Sequence, residues 1–203
     1  MVSFLFDKFI ILFSITLIII YLSDYLKSIG HQVIQFREPG SSHVSEIIRS
    51  LLLDKDSSIT PITELFLFEA ARSELVERHV IPALKEGKTV LIDRFYDSTT
   101  AYQGYGRELD IDNVKTCNMF ATQGFIPDLT FFLDISIKTS AKRSTDKEKD
   151  RMEMAGNAFF KRVIAGFKQI ANDEPDRFHI INANGDVLQT HNLIVNIVTQ
   201  RLV

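Results

Sequence analysis

The chain has 203 residues, 45% of them hydrophobic and 24% charged, with a formal net charge of −3, which suggests one domain over 1–203 with enough apolar residues for a core. The mild acidity leaves no basic surface of the kind that a nucleic-acid polymer favours, although a local group of arginines can still hold a small anion. Cys117 is the only cysteine, so neither an internal disulfide nor metal-ligand cysteine spacing exists, and reducing cytoplasm is the default location.

The chain opens on an atypical apolar segment, 1–23, in which Phe9 to Ser23 carries no charge. A spanning helix needs about 20 apolar residues, so this run is short. It resembles the apolar part of a signal peptide behind Lys8, but Tyr21-Leu22-Ser23-Asp24 offers no small-x-small cleavage site. We read it as buried core rather than a membrane segment; the rival reading is membrane attachment through Phe9–Leu22. Tyr21–Ile29 reads as the end of a helix that Gly30 stops. A short strand, Gln32–Phe36, precedes a helix at Val44–Leu53 with apolar residues at Val44, Ile47, Ile48, Leu51 and Leu52. Ile62–Lys85 is a long helix that Gly87 ends, and Thr89–Asp93 a buried strand. A helix at Ile111–Thr122, a buried strand at Leu129–Asp134, a helix at Ala158–Ala171, a strand at Phe178–Asn182 and a helix at Val187–Leu202 complete the chain. This alternation implies an α/β fold with a doubly wound parallel sheet and helices on both faces. A fifth strand must come from the first 20 residues, either Val2–Phe6 or a piece of Phe9–Ile20, because a strand buried on both faces is apolar throughout.

Five segments carry chemistry. Asp93-Arg94 ends the strand TVLID, where open parallel sheets bind ligands; the carboxylate suits a magnesium ion or its waters and the guanidinium suits phosphate oxygens. Arg37-Glu38-Pro39-Gly40 follows the preceding strand, and its Pro-Gly turn presents Arg37 from a stiff loop at the same edge. In LFLFEAAR, Phe68 and Arg72 lie four apart on one helix face, so a ring that can stack a nucleobase stands beside a donor to its carbonyls. In Asp97–Gly104, Ser98 and Gln103 can hydrogen-bond a base or phosphate and Tyr102 can pack under a sugar; the same stretch also reads as a polar helix start capped by Asp97 or Ser98. AKRSTDKEKDRME, from Ala141 to Glu153, is a charge run that falls where a cationic lid over phosphates would sit, over about 142–153.

Taken singly these segments also read blandly, as surface ion pairs, core phenylalanines and solvated charge. Their order and spacing resemble the thymidylate kinase family over about 180 of the 203 residues, with DRFYDSTTAYQGYGR the most specific part. The resemblance implies a P-loop kinase with a five-stranded parallel sheet, usually a homodimer, that transfers a phosphoryl group from ATP to dTMP with Mg2+. It implies that Phe68 stacks on thymine and Arg72 contacts its carbonyl. Arg37 and Arg94 would hold the dTMP phosphate, with Asp93 in the magnesium network. Ser98, Tyr102 and Gln103 would line the nucleoside pocket, and Arg143 and Arg151 would act from the lid on ATP.

Two departures stand out. The family opens with G-x-x-x-x-G-K-[ST], whose backbone amides and lysine cradle the donor phosphates, yet the first glycine here is Gly30 and the pattern occurs nowhere in the chain. Ser14 and Thr16 lie near where it should end. The first 24 residues have almost the right length for the lost segment, as a locally shifted reading frame would leave them. Ser41-Ser42 also stands where the family usually has Gly-Thr. The alternative reading is therefore a catalytically impaired dTMP-binding protein of the same fold.

Overall fold

The structure is a computed structural model that describes residues 3–7, 12–136, 139 and 151–202. Five strands, β1 (Ser3–Asp7), β2 (Val33–Arg37), β3 (Thr89–Asp93), β4 (Leu129–Asp134) and β5 (Phe178–Asn182), pair in the order β2-β3-β1-β4-β5. Every pairing is parallel. Of the two candidates for the first strand, the Val2–Phe6 segment supplies it, one residue further on; most of Phe9–Ile20 instead belongs to helix α1 (Leu12–Ser28).

Parallel neighbours need long crossovers, and helices supply them. α1 leads to β2, and α2 (His43–Leu53) and α3 (Pro61–Leu75) follow. Both helices start on side-chain caps, Ser42 accepting from the Ser45 amide and Thr60 from the Thr63 amide. α3 runs through a π-helical stretch, Val76–Val80, into α4 (Ile81–Lys85). After β3 come α5 (Tyr96–Thr99), a second π-helical stretch, Thr100–Gly106, and α6 (Ile111–Ala121). α7 (Asn157–Asp173) precedes β5, and α8 (Val187–Leu202) closes the chain.

Alternating strand residues face opposite layers. Leu91, Leu129, Phe131 and Leu133 pack with Ile18, Ile19, Leu22 and Leu26 of α1 and with Ile194 and Val198 of α8. On the other face, Phe132 and Phe178 pack with Phe159, Val163 and Phe167 of α7, and Val90 and Ile92 with Leu75, Val76 and Val80. Helices thus cover both faces. Of the apolar N-terminal run, Ile18, Ile19 and Leu22 are core while Ile20 and Tyr21 are exposed, and among the described residues no helix is long and apolar enough to cross a membrane.

Candidate active site at the carboxyl edge of the sheet

β2 and β3 end side by side. Arg37 is the register partner of Asp93, and the Glu38 amide donates to the Asp93 carbonyl at 2.8 Å. On the other side Asp93 pairs with Phe6 of β1, the strand from which the chain turns the other way across the sheet; such a switch point is where ligands collect. The chain leaves β3 through Arg94 at φ +69°, a left-handed conformation that side-chain-bearing residues avoid and that functional sites retain. Its guanidinium lies over the Tyr102 ring, 4.5 Å from the centroid.

The loop after β2 is shaped around Glu46. Arg37 Nη2 donates to both Glu46 carboxylate oxygens, at 2.8 and 3.0 Å. Gly40 has φ +140°, which favours glycine, and a Cβ there would meet Glu46 Oε1 at 2.6 Å and push that carboxylate aside. Arg49, absent from the sequence reading, donates to the Pro39 carbonyl at 3.0 Å. Burial, then the repulsion of Arg37, pulls its pKa down from the usual arginine value, with Arg94 adding to the repulsion. Arg37, Arg49 and Arg94 therefore form one positive cluster, which an oxyanion would relieve.

Beside it lies a small pocket. Phe68 and Arg72 enter from α3, Arg94 and Phe95 follow β3, Ser98, Thr99 and Gln103 come from the next helical segment, and Glu38 and Pro39 from the β2 loop. The structure thus brings Phe68, Arg72, Arg94, Ser98 and Gln103 together. Arg37 and Asp93 sit at the adjoining strand ends, and Tyr102 sits beneath Arg94. Arg72 is buried and four of its five N–H donors are engaged, leaving one on Nη2: Nε donates to Glu38 at 2.9 Å, Nη1 to Glu69 at 2.6 Å and to Asn118 at 3.2 Å, and Nη2 to Thr99 at 2.9 Å. Burial pushes the Glu38 carboxyl up to about 7 against the pull of Arg72 and raises Glu69 as well.

A second polar knot supports Gln103. Its Nε2 donates to Glu64 Oε1 at 2.8 Å, and Arg107 donates to both Glu64 oxygens at 3.0 and 3.1 Å. Burial raises the Glu64 pKa, but hydrogen bonds from Arg107, Gln103 and Arg151, with the Arg107 charge, carry it below the ordinary carboxylate value. Arg151, expected to act from the lid, is turned onto this knot: Nη1 lies 2.5 Å from Glu64 Oε2 and Nε donates to the Leu52 carbonyl at 2.9 Å. Residues 142–150 of the expected lid, Arg143 among them, lie outside the described residues. Asp97, read as a possible cap, instead holds Arg177 by paired hydrogen bonds of 2.7 and 2.8 Å; no side chain caps α5.

Among the described residues no group of three or more His, Cys, Asp or Glu could hold a metal ion. Asp93 ends β3, and Asp7 ends the neighbouring strand β1. That donor set fits Mg2+, which is held by one or two carboxylates together with substrate phosphates rather than by a protein cage.

Comparisons with known proteins agree on one family. The family profile described as thymidylate kinase matches residues 16–194. The chain is 45% identical over 190 residues to a thymidylate kinase of Chlorobium luteolum, with 89% of each chain covered. It is 40% identical over 182 residues to one of Thermoanaerobacter sp., with 90% of each covered. The crystal structure of thymidylate kinase from Ehrlichia chaffeensis matches 98% of this chain and 100% of its own, with a TM-score of 0.79 at 29% identity.

Proposed function

Because the chain belongs to the thymidylate kinase family, its reaction is transfer of a phosphoryl group from ATP to dTMP, and we propose that the pocket of Phe68 and Arg72 binds the dTMP. The observation that carries this reading is the juxtaposition of that pocket with the Arg37–Arg49–Arg94 cluster. A stacking ring and a fixed guanidinium adjoin a site for a dianion, at the edge where the sheet presents Asp93. Phe68 stacks on the thymine, Arg72 donates to its carbonyl, and Ser98, Tyr102 and Gln103 close round the nucleoside. Arg37 and Arg94, with Arg49, hold the phosphate. Mg2+, when bound with ATP, screens the charge of the transferring group, and Asp93 is the carboxylate that would hold it. In such a reaction the protein mostly positions the reactants and stabilises charge. Arg143 acts from the lid on ATP, whereas Arg151 serves as a brace on Glu64.

The assembly we propose is a homodimer. Val44, Ile47 and Leu51 form one exposed stripe on α2, Ile62 and Phe66 another on α3, and Phe120 of α6 is 87% exposed. These three helices pack as neighbours, α3 between α2 and α6, and an apolar face of this kind marks an interface. A Phe120→Asp chain should sediment as a monomer where the unchanged chain sediments as a dimer; equal sedimentation would remove this face from the assembly. The setting we propose is the cytoplasm.

Calorimetric titration tests the pocket. The chain should take dTMP in preference to other nucleoside monophosphates. Arg94→Ala should abolish measurable dTMP binding with little change in melting temperature, since its guanidinium rests on a ring and not in the core. If Arg94→Ala unfolds the protein while binding persists, Arg94 is a structural residue and the phosphate site lies elsewhere.

A further inference from the structure

Behind the dTMP pocket lies a second cavity of about 180 Å3 that shares no lining residue with it. One helical segment, Tyr96–Gly106, is the wall between them. Ser98, Thr99 and Gln103 face the first space, while Tyr96, Thr100 and Tyr105 face the second. A π-helical stretch of this kind is rare and concentrates at functional sites.

Size and charge define what the second cavity accepts. An apolar cavity of about 150 Å3 holds one benzene ring, so this one suits a single aromatic ring. Met119, Ile126 and Ile170 supply the apolar contact. Asp97, Asp173 and Glu174 also line it, against Lys115 and against Arg177, which pairs with both Asp97 and Glu174 at 2.7 and 2.5 Å. Three carboxylates against two cations leave the site one negative charge in excess. Asp173 carries that excess: among the described residues its bond is a neutral one, accepted from Gln169 at 2.8 Å. The Tyr105 hydroxyl is pushed above its ordinary pKa by burial and by the charge of Asp173, in keeping with a negative local field.

The cavity also touches the machinery of the first pocket. Asn118, 3% exposed, lines it. The Asn118 amide donates to Thr100 Oγ1 at 2.9 Å, and its carbonyl oxygen accepts from Arg72 Nη1 at 3.2 Å, the longest of the four Arg72 side-chain bonds. We propose that this cavity is a binding site for a monocyclic aromatic cation, and that its occupant weakens dTMP binding by competing with Arg72 for the Asn118 carbonyl oxygen. Arg72 keeps Glu38, Glu69 and Thr99, so the effect is a few-fold loss of affinity and not abolition. By linkage dTMP weakens the cation by the same factor.

Benzamidine is a suitable probe. Titrated calorimetrically into the full chain, it should bind in the millimolar range. Asp173→Lys, a change on the exposed C-terminal turn of α7, should weaken it about tenfold or more while dTMP binds as before. Ile170→Trp, which fills the cavity, should do the same by sterics. As benzamidine rises, the apparent dTMP Kd should climb about threefold and then level off, because coupling between two sites saturates. Absence of binding, or unchanged binding in both variants, would overturn the site. A dTMP Kd that keeps rising in proportion to benzamidine would show direct competition and overturn its separateness, and a dTMP Kd that does not move would overturn the coupling.

Discussion

Arg72 brings one positive charge between two buried carboxylates, and that imbalance sets the chemistry of the pocket floor. Its guanidinium is held charged by Glu38 and Glu69 against the cost of burial, while one carboxylate is in surplus. Among the described residues, Glu38 Oε1 and Glu69 Oε2 are buried without a hydrogen-bond partner, which costs more for a charged carboxylate than for a neutral carboxyl. With Glu38 raised from 4.5 to about 7, the folded chain retains a proton across that window which the unfolded chain releases. Stability from this group therefore falls as pH rises from about 4.5 to about 7, and the penalty is complete above it. Glu38→Gln removes the ionisation. Its melting temperature should gain on that of the unchanged chain as pH is raised from about 5 to about 8; parallel curves would mean that Glu38 ionises normally. Arg72 and Phe68 were legible in the sequence because helical spacing puts residues four apart on one face. Glu38 and Asn118 were not legible as its partners, being 34 and 46 residues away, and nothing local marks such a pairing.

At the scale of elements, legibility followed the strength of periodic patterns. Thr89–Asp93, Leu129–Asp134 and Phe178–Asn182 are strands within the bounds read from sequence, since short buried runs between helices admit little else. The expected helix Ile62–Lys85 is interrupted by a π-helical stretch at Val76–Val80, which has no sequence signature. The sequence marks Asp97–Gly104 as a motif with a polar helix start, whereas the helical extent is Tyr96–Gly106, hidden by Ser, Thr and two glycines, all weak helix formers. Its glycine partner on α7 explains how it packs: a Cβ on Gly166 would lie 2.6 Å from the Tyr105 ring. Two effects oppose each other in Gly166→Ala. Helix propensity favours alanine by about 1 kcal/mol, whereas overpacking costs about 1–3 kcal/mol. The clash should win, so urea denaturation should show a net loss of about 1 kcal/mol. A stabilised variant would mean that the Tyr105 ring moves aside freely.

Seen whole, the molecule has an acceptor side written into its side chains and a donor side that its sequence leaves bare. The central strand β1 ends at Asp7, and its register places Phe6 against Asp93, so this strand too ends at the edge where the phosphates would meet. That is the place for a glycine-rich cradle, and the chain has no glycine before Gly30. Two hydroxyls could end a grafted motif. Ending it at Ser14 would set its first glycine at position 7, inside β1, and weaken the central strand. Ending it at Thr16 sets the first glycine at position 9, beyond the strand. The graft is therefore Phe9→Gly, Ser14→Gly and Ile15→Lys with Thr16 kept, which writes G-x-x-x-x-G-K-T over residues 9–16. The two glycine substitutions let the backbone turn its amides toward phosphate, and the third adds one lysine charge. Each preorganised donor of this kind is worth about 100-fold or more in rate. In a coupled ADP-release assay the grafted chain should turn over dTMP at least about 100-fold faster than the unchanged one, with dTMP affinity the same in both. Equal turnover would mean that another group already cradles the donor phosphates, whereas a loss of dTMP affinity would mean that the apolar segment supports the acceptor pocket directly.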